Sequence, residues 1–126
     1  MTVQEIIQEL LQQGQVASAL LYAGFLISSK PAVADCILLG DVFAADKQWR
    51  RAYSYYSRTL AEVHQHLMAA SSAAKGGALP PAAAQRIQKL RAMDGKLRAK
   101  MAECLVQLGE YDQALKVGIF LFPVTY

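Results

Sequence analysis

Cys36 to Leu60, CILLGDVFAADKQWRRAYSYYSRTL, reads as two short helices joined by a tight turn. The first helix carries Ile37, Leu38, Leu39 and Phe43, and the second carries Trp49, Ala52, Tyr53, Tyr56 and Leu60. Between them, Ala45-Asp46-Lys47 supplies the turn. Gly40 and Ala52 are small residues set among large ones, one on each helix, where a close helix approach needs them. A pair of this kind has two apolar faces and cannot bury both alone, so it predicts neighbouring helices.

Numbering Gly40 as position 8 of a repeat puts Leu39 at 7, Phe43 at 11, Trp49 at 17, Ala52 at 20 and Tyr56 at 24, the tetratricopeptide spacing. The same ruler fits upstream, with Gly14 at position 15, Val16 at 17, Ala19 at 20 and Pro31 at 32. The step from Ala19 to Ala52 falls one residue short of the tetratricopeptide period of about 34 residues. The ruler fits again near the end, where Met101, Ala102, Leu105, Tyr111 and Ala114 take positions 7, 8, 11, 17 and 20. The step from Ala52 to Ala114 is far longer than one period, which leaves an insert of about 28 residues. The expected fold is all-α: tetratricopeptide-like helical hairpins stacked as a short right-handed solenoid. One domain, 1–126, then divides into a degenerate repeat at 1–31, repeat two at 33–67, a flexible insert at 68–85 and repeat three at 86–122. Leu39, Gly40, Trp49, Ala52, Tyr56, Ala102, Tyr111 and Ala114 are the expected repeat-packing residues.

Taken from its start, the chain opens on a T-x-x-E capping box, Thr2 to Glu5, so a helix is expected from near Val3. Val3, Ile6, Ile7, Leu10 and Leu11 form one apolar stripe that Gly14 ends. A second helix is expected over Val16 to Ser28 and stopped by Pro31. Met68 to Gln85, MAASSAAKGGALPPAAAQ, contains Gly76-Gly77 and Pro80-Pro81 and no large apolar run, the composition of a surface loop. Asp94-Gly95 interrupts the next helical pattern, so Asp94 is expected to cap a helix, with Ala83 to Met93 a separate or kinked extension. The tail Val117 to Tyr126 lacks an amphipathic pattern and reads as an aberrant end.

Hydrophobic residues make up 54% of the 126 and charged residues 18%, which predicts surface covered by something else. Leu10 to Ser29 carries no charge over a bilayer-spanning length of about 20 residues. Gln12, Gln13, Gly14 and Gln15 break it, which suits a helix turn and not a bilayer. The first residues show no basic targeting region. A net charge of +3 is too small to point to nucleic acid. Arg86, Lys89, Arg91, Lys96, Arg98 and Lys100 face one acid, Asp94, but no aromatic lies between Leu67 and Glu110 to stack a base.

The residues that carry chemistry elsewhere have bland readings here. His64 and His66 are two apart and leave a helix on different sides, so they do not share a metal. Cys36 and Cys104 read as free buried thiols. Glu5, Glu9, Asp41, Asp46 and Glu103 are expected on solvated faces or turns. No nucleophile–base–acid set and no glycine-rich phosphate loop can be read. The chain is therefore expected to be non-catalytic, with no cofactor, no metal, no nucleic acid and no membrane contact. Tyr53 and Tyr56 are expected in the core, with Tyr55 exposed. The helix Val16–Ser28 is apolar nearly all round, so Leu20, Leu21, Tyr22, Phe25 and Leu26 are the expected interface of a homodimer.

LLGDVFAADKQWRRAYSYYSRTL at Leu38–Leu60, KMAECLVQLGEYDQAL at Lys100–Leu115 and the upstream LLYAGFLISS resemble the amino-terminal region of the anaphase-promoting complex (cyclosome) subunit 7 family. The order of degenerate repeat, good repeat, long insert and third repeat is the distinctive part, and the resemblance ends near Leu115. It implies a structural scaffold subunit of a large ubiquitin ligase in cell-cycle control, in nucleus and cytoplasm, binding other subunits and dimerising through amino-terminal repeats. Family members are longer, so it also implies a fragment or short product. The alternative is a tetratricopeptide adaptor for a peptide or chaperone. Such adaptors hold a carboxylate with asparagines, and this sequence has none.

Overall fold

The computed structural model describes residues 2–73 and 80–119. Six helices and no strand occur among them: α1 Val3–Gln12, α2 Val16–Ser28, α3 Val33–Ala45, α4 Trp49–Ala73, α5 Pro81–Gln107 and α6 Tyr111–Ile119. The all-α expectation holds. Each helix packs on the next in sequence, and α1 also touches α3.

Local chemistry sets the boundaries. The Thr2 hydroxyl accepts the Glu5 N–H at 3.2 Å, which satisfies one orphan donor at the start of α1. The Asp35 carboxylate accepts the Ala32 N–H at the start of α3, and Gln4 of α1 donates to the same carboxylate at 3.1 Å. Three turns share one construction. A residue in the left-handed region, Gly14 at φ +75°, Lys47 at +62° and Gly109 at +80°, ends each first helix. The next N–H then reaches back five positions: Gln15 to the Leu10 carbonyl, Gln48 to Phe43 and Glu110 to Leu105, all at 2.8–2.9 Å. So the described residues contain three helical hairpins, α1–α2, α3–α4 and α5–α6, with equivalent turns.

The interior forms two clusters that meet across α3. Ile7, Ala19, Ala23, Leu26, Leu38, Leu39 and Val42 make the first. Phe43, Ala52, Tyr56, Val63, Leu97, Met101 and Cys104 make the second. Leu20 and Tyr55 pack against both.

Two expectations change. Asp94-Gly95 does not break a helix, because α5 is continuous from Pro81 to Gln107. The Asp94 carboxylate takes Arg98 one turn later at 2.7 Å and so caps nothing. The stretch that reads as a loop is helical at both ends, Met68–Ala73 in α4 and Pro81–Gln85 in α5. Alanine is the best helix former, and a proline at the first helical position is pre-set for the helix, so small-residue composition is no sign of a loop there. Its centre, 74–79, and the tail beyond Ile119 lie outside the described residues. Val117–Ile119 belongs to α6.

Candidate interaction surface

The repeat-packing residues divide by depth. Leu39, Ala52 and Tyr56 are buried and Ala114 nearly so. Gly40 is buried, while Trp49 and Ala102 are half-buried. A Cβ built on Gly40 would lie 2.5 Å from the Tyr56 ring, closer than any real contact. The glycine is therefore required by the ring that covers it. Tyr111 departs from the pattern: it is 66% exposed and packs into neither cluster.

Sequence reasoning missed a polar junction under the second hairpin. Asp41, expected on a solvated face, is half-buried and accepts the Tyr56 hydroxyl and the Lys100 ammonium, each at 2.6 Å. Its carboxylate thereby ties α3 to α4 and α5. The only sequence signal was a charge beside Gly40, at the place where the helices come closest. Burial and the Asp41 acceptor push the Tyr56 phenol far above its ordinary value, so it stays a donor at any physiological pH. Lys100 also lies over the Tyr56 ring, 5.7 Å from its centre.

The other titratable candidates are placed plainly. Cys36 is half-buried and Cys104 buried, and both are free thiols. Burial, and then Glu103, push the Cys104 thiol up to about 11, and burial followed by Glu62 raises Cys36. Both shifts run opposite to those of an activated nucleophile. His64 and His66 are exposed. His64 sits 3.1 Å from Arg98 and 3.5 Å from Asp94, joining α4 to α5, while no group of three or more His, Cys, Asp or Glu that could hold a metal occurs among the described residues. No described helix is long and apolar enough to cross a membrane. An open depression of about 640 Å³, lined by Lys47–Arg51, Ser54 and Leu108, lies over two of the hairpin turns.

Among the described residues, an exposed apolar row lies on α2, which contains no charged residue. Leu21 is 74% exposed and Phe25 65%, and the Tyr22 ring lies 6.2 Å from that of Phe25, while Ile27, 45% exposed, leaves α2 on another side. Two expected interface residues belong elsewhere. Leu26 is 4% exposed and sits in the first cluster, and Leu20 is half-buried in the seam between clusters. They point to the side of α2 that α1 and α3 cover. Tyr55, expected exposed, is half-buried and stacks on Phe43 with centroids 5.4 Å apart. No protein-family model matches the chain, and no curated protein or solved structure matches it significantly.

Proposed function

We propose that this chain is a non-catalytic protein–protein interaction scaffold of tetratricopeptide-like hairpins that self-associates through α2. The observation that carries the reading is the row Leu21, Tyr22 and Phe25, left open on a helix without a single charge. Such a row is costly in water, and a two-fold contact covers it on both chains at once. The three equivalent turns support the repeat arrangement, and neighbour-to-neighbour helix packing is what a short solenoid requires. The quoted resemblance adds a context: a structural subunit of a large ubiquitin ligase in cell-cycle control.

Light scattering after gel filtration tests it. The expected mass is twice the single-chain mass of 13.8 kDa, falling to the single-chain mass in Leu21→Glu/Phe25→Glu. A monomer at micromolar concentration removes the dimer, and a dimer surviving the double substitution moves the interface off α2. Co-purification of other ligase subunits from cell extract tests the context separately.

A further inference from the structure

We propose that the face of α4 carrying Arg51 and Arg58 is a docking strip for an acidic segment of a partner protein. The strip is a four-layer ladder. The Arg51 guanidinium lies 5.2 Å from the centre of the Phe43 ring, Phe43 stacks on Tyr55 at 5.4 Å and 12°, and the Arg58 guanidinium lies 5.5 Å from the centre of Tyr55. Both arginines are exposed, and among the described residues neither meets a carboxylate within 4.0 Å. A guanidinium resting on a ring keeps its N–H edge free while its side-chain freedom is already reduced. Planar carboxylates match that edge with paired hydrogen bonds. Two helical turns separate the two arginines by about 10 Å, close to the rise of about 9 Å across three residues of an extended, polyproline-like peptide. An acid at every third residue would meet both.

The same geometry disfavours nucleic acid. The two rings stack on each other and each carries a guanidinium, so neither is open to a base. Glu62, one turn beyond Arg58 and close enough to bear on Cys36, ends the positive run. A continuous phosphate chain would run into it, while a short acidic segment ends before it. The strip presupposes the scaffold reading and names the chemistry of one partner.

Fluorescence anisotropy on the intact chain at low salt tests it, with a labelled peptide of four Glu-Pro-Pro repeats. Saturable binding tighter than about 1 mM is expected, weakened about tenfold in Arg51→Gln/Arg58→Gln. Lys89→Gln/Lys96→Gln removes the same charge from exposed sites on α5 and should change it by less than about twofold. Arg58→Lys keeps the charge, leaves the Arg51 cover over Phe43 in place, and should weaken binding about threefold through loss of the paired hydrogen bonds. The proposal is overturned by absence of saturable binding, by equal losses in the α4 and α5 double variants, or by tighter binding of a single-stranded oligothymidylate. Light scattering on the same samples separates the outcomes: peptide binding lost with the dimer intact removes the strip alone.

Discussion

The first and second hairpins solve one packing problem in opposite ways. At repeat position 8 the first has Ile7 and the second Gly40, while at position 24 the first has Ala23 and the second Tyr56. All four are buried. The bulk that one hairpin puts on its first helix, the other puts on its second. The exchange has a consequence on the outside. In α4 the large aromatic faces inward, and the outward positions hold Ser54 and Arg58. In α2 the position equivalent to Tyr56 holds Ala23, and the equivalent outward positions, one repeat earlier, hold Leu21 and Phe25. Two helices at equivalent places in their hairpins therefore present an apolar surface and a cationic one.

The exchange can be broken directly. Gly40→Ile should cost about 3 kcal/mol in urea melts, because its first side-chain carbon already overlaps the Tyr56 ring. Combined with Tyr56→Ala it recreates the first hairpin's pairing, and the two losses should fall short of additive by about 1 kcal/mol or more. Strict additivity would show that the pair does not trade volume.

Ala19→Leu and Ala52→Leu probe the position the two hairpins share, where both alanines are fully buried. Each should destabilise by about 1–2 kcal/mol, and a neutral result at either site would mean that its hairpin is looser than its partner.

A smaller loss is expected in alkali, and the second cluster should supply part of it, beside the raised Cys36 thiol. Cys104 and Tyr56 both titrate above their ordinary values in the folded state. Stability should be flat below pH 9 and fall as pH rises from 9 towards 11, since the unfolded chain gives up these protons first. Cys104→Ala should reduce the slope in that window, and an unchanged slope would remove the thiol from the effect.

The smallest effect should come from the turns. Lys47 takes the left-handed conformation that glycine takes in the other two hairpins. Lys47→Gly should raise the melting midpoint by the equivalent of about 0.5–1 kcal/mol. A decrease would show that the Lys47 side chain contributes to the second hairpin.

Helix limits were legible wherever a local signal controls them. Thr2, Gly14, Pro31 and the Ala45-Asp46-Lys47 turn act on their own backbone, so α1 to α3 and the start of α4 could be placed from residues alone. Local signals misled at Asp94-Gly95, where helix packing overrides the break, and in the alanine-rich stretch, where helix-forming alanines carry α4 and α5 into residues that read as a loop.

The sequence by itself determined the helical periodicity, the small residues Gly40 and Ala52 at positions 8 and 20 of the second hairpin and the excess of apolar side chains, because each follows from residue type and spacing. The tertiary structure alone decided which side of α2 stays open, so that Leu21 and Phe25 face water while Leu26 does not. It also decided that Asp41 joins three helices, and that Tyr55 lies between Phe43 and Arg58. These depend on how far one helix is rotated against the next. That angle comes from the sum of many side-chain contacts between segments distant in sequence, and no short stretch of residues carries it.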